Sequence, residues 1–171
     1  MTTSDQISRY LRVDHAGELG AKRIYEGQIA ILGDHPVAAE IQHMKEQEQV
    51  HLDTFENLLN DYEVRPSVMT PFWNTAGYVL GAVTAAMGPK AAMACTIAVE
   101  EVIGEHYKDQ ADQLPDEEAE LRATIAQFRD EELEHRDTAI DHDGEQATGY
   151  PVMRNIIQTG CRAAIKLAEK F

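Results

Sequence analysis

Basic residues, cysteines and aromatic side chains are all scarce in this chain, and each scarcity removes a class of protein. Lys and Arg number 15 against 30 Asp and Glu, a formal charge of -15, and no basic run offsets the deficit. Such a surface repels phosphate, which excludes nucleic acid as a partner. The two cysteines, Cys95 and Cys161, sit in the apolar stretches MACTIAV and TGCRAAI without metal-type spacing. They read as buried free thiols in a reducing compartment, with a disulfide left open. No Gly-rich phosphate loop, covalent-nucleophile pattern or nicotinamide fingerprint occurs. The opening residues MTTSDQISRY lack an apolar signal core and are poor in arginine. A cytosolic-side chain, or one already trimmed, is the expectation. At 171 residues a single domain spanning 1–171 is expected, long enough to bury a full core.

What the chain does contain is a constellation that occurs twice. A lone glutamate is followed by a Glu-x-x-His: Glu18, then Glu48 with His51 in MKEQEQVHLDT; and Glu100, then Glu132 with His135 in FRDEELEHRDT. A shift of 84 residues superposes Glu48 on Glu132, His51 on His135, Asp53 on Asp137 and Thr54 on Thr138. Seven residues after each lone glutamate stands a tyrosine (Tyr25, Tyr107), and ten after each a glutamine (Gln28, Gln110). An internal duplication accounts for this.

On a helix, positions i and i+3 share a face, so each Glu-x-x-His can aim both side chains at one point. Carboxylates bridge and adjust, and neutral imidazole suits iron, manganese or zinc. Four glutamates and two histidines so spaced fit two divalent metals in the pattern of ferritin-like di-iron carboxylate proteins. A third pair, Glu40 with His43, has no partner in the repeat, since Thr124 and Gln127 hold the aligned places; it reads as a solvated face. Helical levelling agrees. A reversal near Asp34 sets Glu18 beside Val50, between Glu48 and His51, and a reversal at Leu114 to Asp116 sets Glu100 near Asp130, within about a turn of Glu132 and His135.

The rest of the chain reads as helices of a bundle. Helix one is expected from Ser4 or Asp5 to Leu32 before Gly33, and helix two from Pro36 to Tyr62. Between Pro66 and Pro89 no charged residue or histidine occurs. Pro71, Gly77, Gly81 and the polar Asn74, Thr75 and Thr84 argue against a membrane span and for a partly helical crossover. Its apolar surplus, with Trp73 and Tyr78, suits ordinary core packing, a bilayer interface or a greasy substrate. Helix three starts near Pro89 and helix four after Pro115, fraying around Asp143 and Gly144. A last helix, Pro151 to Lys170, carries Arg154, Arg162, Lys166 and Lys170 against Glu169. It suits an anionic membrane surface or docking on the acidic bundle. His15 reads as a neighbour of the site or a surface histidine, and His106 as facing the site's edge or as a satisfied polar contact. Glu101 lies about 100° around the helix from Glu100 and so off the site. Tyr25 and Tyr107 read either as core or as hydrogen-bonding within the site.

The segments RVDHAGE, MACTIAVEE, FRDEELEH and IIQTGCRAAI together resemble the demethoxyubiquinone hydroxylase family of ubiquinone biosynthesis, over nearly the whole chain. The resemblance implies an all-α, ferritin-like four-helix bundle built from two helix pairs with a long crossover and a C-terminal helix. It implies a di-iron monooxygenase that hydroxylates the ring of demethoxyubiquinol, with two iron ions held by Glu18, Glu48, His51, Glu100, Glu132 and His135. O2 would be co-substrate; the quinol substrate could itself deliver the reducing equivalents, or NADH could supply them through the quinone. It also implies peripheral membrane attachment, on the cytoplasmic face of a bacterial membrane or on the matrix side of the mitochondrial inner membrane. A lipid-binding partner protein and a homo-oligomer stay open. Two rival expectations are an iron oxidase or store of the same fold, and a non-enzymatic helical module.

Overall fold

The computed structural model describes residues 3–170. Its α-helices are α1 (Thr3–Leu32), α2 (Ala38–Asp61), α3 (Thr70–Ala86), α4 (Pro89–Gln113), α5 (Ala119–Asp141) and α6 (Tyr150–Ala168), with 3-10 turns at Asp116–Glu118 and Gly144–Gln146; no strand occurs among the described residues. The all-α expectation holds, and helix ends fall within a few residues of those expected. Gly33 stops α1 with a left-handed backbone, φ +55°, its N–H bonded to Ile29 O at 3.0 Å. Pro36 belongs to the turn rather than to α2, because Ala38 N–H bonds His35 O at 2.8 Å. Gly88, at φ 117°, separates α3 from α4, and Pro71, Pro89 and Pro151 occupy first-turn positions of α3, α4 and α6.

The bundle is made of α1, α2, α4 and α5, with α1 and α2 packed as one antiparallel pair and α4 and α5 as the other. The duplication goes further than the helix pairs visible in the sequence, since α3 packs against α1 and α6 against α4. Each half is therefore a three-helix unit. α3 lies on α1 backbone to backbone: a Cβ added at Gly77 would sit 2.6 Å from Gly20 O, and one at Gly81 would overlap the Ile24 carbonyl. Only glycine permits that approach. α6 is docked through Arg154, whose Nε bonds Glu101 Oε2 at 2.6 Å, and through Gln158, which bonds the same oxygen. Glu101 thus holds α6, a role the sequence reading did not give it, and two of the basic residues of α6 are turned onto the acidic bundle, Arg162 meeting Glu105 at 3.1 Å.

Two apolar layers fill the bundle. One gathers Leu11, Phe55, Tyr107, Ile125 and Phe128; the other gathers Tyr25, Ile41, Met44, Met93, Ile97 and Ala139. On α1, α2, α4 and α5 the positions between these layers carry the repeated set: Glu18, Glu48 with His51, Glu100, and Glu132 with His135.

Candidate metal centre

Burial is the first property of the repeated set. Glu18, Glu48, His51, Glu100, Glu132 and His135 are all 2% exposed or less. Carboxylates are not buried without compensation. Their donor atoms form two groups, Glu18, Glu48, His51 and Glu132, and Glu48, Glu100, Glu132 and His135, with the atoms of each group within 4.8 Å of one another. Glu48 and Glu132 belong to both. Glu40 and His43 are exposed on α2, as the repeat argument required.

Both histidines point Nδ1 into the cluster. His51 Nδ1 lies 3.1 Å from Glu132 Oε1 and 3.3 Å from Glu18 Oε2, and His135 Nδ1 lies 3.1 Å from Glu48 Oε1 and 3.2 Å from Glu132 Oε2. The His51 ring is stacked on Phe128 at 4.0 Å between centroids, which fixes its plane. The tyrosines work crosswise. Tyr25 Oη donates to Glu100 Oε1 at 2.6 Å and Tyr107 Oη donates to Glu18, so each half's tyrosine holds the other half's lone glutamate. Of the two readings of these tyrosines, both apply, since each is core and site at once.

The electrostatics are those of carboxyl groups crowded into a buried site. Burial, reinforced by the Glu132 carboxylate, pushes the carboxyls of Glu48 and Glu100 well above the ordinary range. Burial would also raise Glu132, but hydrogen bonds from His135 and His51 hold it down to about 2. Burial would lower His51, yet the carboxylates of Glu132 and Glu18 raise it to about 11. Glu18 Oε2, both oxygens of Glu48 and Glu100 Oε2 accept no hydrogen bond. Unsatisfied buried carboxylate oxygens facing two imidazole nitrogens are a set that divalent cations complete, and two such ions match four carboxylates in charge.

His15 is buried rather than a surface histidine; its Nε2 lies 3.8 Å from Glu56, and the Glu18 carboxylate also acts on its ring. His106 forms a polar contact at the edge, 2.8 Å from Gln110 Nε2, and Gln110 donates to the buried Asp14 at 2.7 Å. Cys95 is buried and Cys161 half-buried, and both are free thiols; burial raises the Cys95 thiol to about 12.

An apolar groove of about 430 Å³ lies between α1, α3, α4 and α6; none of the six donors lines it. Gly17 and Ala21 on α1, and Val99 and Ile103 on α4, form part of its wall, and these residues flank Glu18 and Glu100. Its outer parts include Phe72 of α3 and Ile156 of α6. No charged residue lines it.

The family model described as ubiquinone biosynthesis protein COQ7 matches residues 5–168. The chain belongs to the COQ7 family. A Mus musculus protein named NADPH-dependent 3-demethoxyubiquinone 3-hydroxylase, mitochondrial, is 53% identical over 169 residues, covering 96% of this chain and 78% of that protein. A Rhodospirillum rubrum protein named 3-demethoxyubiquinol 3-hydroxylase is 51% identical over 165 residues, with the same 96% and 78% coverage. A Saccharomyces cerevisiae protein named 5-demethoxyubiquinone hydroxylase, mitochondrial, is 46% identical over 185 residues, 96% of this chain and 78% of that one. The nucleotide in the mouse protein's name is NADPH, where NADH was one of the two electron sources expected.

Two residues that sequence reasoning passed over complete the centre of this COQ7 chain. Glu131 Oε2 lies 2.6 Å from His51 Nε2, and Gln47 Oε1 lies 3.0 Å from His135 Nε2. Each immediately precedes the glutamate of a Glu-x-x-His, and each serves the histidine of the other half. The repeat register held the signal, because a shift of 84 residues carries Gln47 onto Glu131.

Proposed function

We propose that this chain is a di-iron monooxygenase that hydroxylates the ring of demethoxyubiquinol. The observation that carries the reading is the buried six-donor cluster, together with an uncharged groove lined by sequence neighbours of Glu18 and Glu100. In this proposal Glu18 and His51 hold one ion, Glu100 and His135 the other, and Glu48 and Glu132 serve both. Bound there and reduced, an iron pair would supply electrons and Lewis acidity to O2, one oxygen atom entering a ring C–H bond and the other leaving as water. The chain's own residues do the rest. Tyr25 and Tyr107 pin one oxygen of Glu100 and one side of Glu18, leaving the remaining oxygens for coordination. The groove accepts an apolar ring and excludes water beside the donors, with the tail left outside; its volume lies within the range of small-molecule sites. A nicotinamide nucleotide, NADPH in the mouse relative's name, is the electron source, acting without a nucleotide-binding fingerprint in this sequence.

The groove also supports peripheral membrane attachment. Phe72, Val79 and Val83 of α3, Met87 just after it, and Val152 and Ile156 of α6 are each more than half exposed. No helix among the described residues is long and apolar enough to cross a membrane. The apolar surplus of the crossover thus faces outward, as an interfacial surface would. The attached face is the cytoplasmic side of a bacterial membrane or the matrix side of a mitochondrial one.

A single turnover tests the reading. Iron-loaded, chemically reduced protein is mixed with demethoxyquinone and labelled O2, and quinones are read by mass spectrometry. A ring carrying one labelled oxygen is expected, and Glu100→Ala should abolish it together with iron binding. Oxidised iron with unchanged quinone would overturn the hydroxylase and favour an iron oxidase.

A further inference from the structure

The six donors come in like pairs, Glu18 with Glu100, Glu48 with Glu132 and His51 with His135, and so do the tyrosines that hold them. The groups behind the histidines do not. Gln47 and Glu131 occupy equivalent positions of the repeat and make equivalent cross-half contacts, yet one offers a neutral amide oxygen and the other a carboxylate. Glu131 is held for the task. Gln127 Nε2 bonds its second oxygen at 2.8 Å, and its ion-pair partner among the described residues is His51. Its side chain is 27% exposed, so it keeps part of its hydration while the imidazole it faces is wholly buried.

A carboxylate accepting the Nε2–H of an imidazole draws that proton towards itself and raises electron density at Nδ1, the atom turned to the cluster. An amide oxygen does so much less. Groups in this position change metal affinity by about 10- to 100-fold when they are removed. Resting on the dimetal reading above, we infer that Glu131 makes the two metal positions unequal, the His51 position binding a divalent cation more tightly than the His135 position. The repeat thus encodes matching donors with an asymmetry written one residue before each shared glutamate.

Cobalt(II) titration of the metal-free chain, followed by calorimetry and visible absorption, reads this directly. The wild-type chain is expected to take up two ions in two resolved steps, with affinities at least about tenfold apart. Glu131→Gln should weaken the first step about tenfold or more and merge the two. The exchanged variant Gln47→Glu/Glu131→Gln restores the amide–carboxylate pair in the opposite sense, and should recover two steps with His135 filled first. The paramagnetically shifted ring N–H at one equivalent of cobalt identifies the occupied histidine. Two resolved steps in Glu131→Gln as wide as in wild type, or His51 still filled first in the exchanged variant, would overturn the inference while leaving the dimetal centre standing. A wild-type chain that binds no cobalt overturns the dimetal reading and the inference with it. If Glu131→Gln alone fails to fold, the exchanged variant decides by the same criterion.

Discussion

Substituting Gly81 by Ala tests the contact on which the groove depends. A methyl group there would lie 2.7 Å from Ile24 C and 2.9 Å from Ile24 Cα, and nearer still to Ile24 O. These are backbone atoms of a long helix, so no side chain can swing away and α3 itself must retreat from α1. Overpacking costs about 1–3 kcal/mol, and a backbone-on-backbone clash belongs in the upper part of that range. Helix propensity offsets some of it, since Ala in place of Gly contributes about 1 kcal/mol. Gly160 supplies the control. It lies on α6 with nothing within 4 Å of an added Cβ, so Gly160→Ala receives the propensity gain without the clash. The difference between the two variants therefore isolates the packing term, about 2–3 kcal/mol. For a chain of this size that is about 4–12 °C in melting temperature. Thermal unfolding of the metal-free proteins, followed by circular dichroism, makes the comparison. Equal midpoints for Gly81→Ala and Gly160→Ala would refute the close approach of α3 to α1, and with it the shape of the groove.

Removing metal should invert the protein's response to pH. Glu48 and Glu100 have folded-state pKa values raised well above 4.5, so their contribution to stability is complete below 4.5 and is lost as pH rises through the folded values. His51, raised from 6.5 to about 11, acts in the same direction above 6.5, whereas Glu132, lowered to about 2, loses its contribution only as pH falls from 4.5 towards that value. Metal-free protein should thus melt higher near about pH 5 than near about pH 8, and metal-loaded protein the reverse, because ligands must be deprotonated; a metal-free midpoint that climbs with pH would contradict this. Tyr25→Phe removes a hydrogen bond to a buried carboxylate and should destabilise the loaded protein by about 1.5–3 kcal/mol in urea unfolding, an unchanged midpoint counting against the crosswise bond. Phe72→Asp combined with Ile156→Asp should lower partitioning onto lipid vesicles by tenfold or more, since each apolar side chain withdrawn from water contributes about 1.5–3 kcal/mol. Unaltered sedimentation with vesicles would move the attachment surface elsewhere.

The helices and the donor set were legible because both follow local rules. Pro36, Pro89, Pro115 and Gly33 punctuate the chain, and the i, i+3 spacing of Glu48 with His51 and of Glu132 with His135 fixes which side chains converge. The groove was not legible. Its wall is drawn from four helices, and its members, such as Gly17, Ala21, Val99 and Ile157, look like ordinary core residues when read along any one of them. The same limit applied to His15, read as a neighbour of the site or as a surface histidine: its ring is buried, with Nε2 3.8 Å from Glu56 on α2 and the Glu18 carboxylate within electrostatic reach. The charge-free crossover was legible in composition but not in direction, because the glycines that face α1 leave Phe72, Val79 and Val83 on the other side.

The contacts that sequence reasoning left open, at Tyr25 and Tyr107, or missed, at Glu131 and Gln47, share one property: they act across the two halves. Tyr25 of the first half bonds Glu100 of the second, Tyr107 bonds Glu18, Glu131 reaches His51, and Gln47 reaches His135. A reader of either half alone finds a glutamate, a Glu-x-x-His and a tyrosine with no visible purpose. Neither half can satisfy its own carboxylates, and each proposed ion would draw Glu48 from one half and Glu132 from the other. The centre therefore exists only when the halves are docked, and any free energy gained by binding metal is also free energy of docking. Loss of one donor should consequently register twice, in metal affinity and in the stability of the loaded bundle, whereas loss of a groove residue such as Phe72 should leave both nearly untouched.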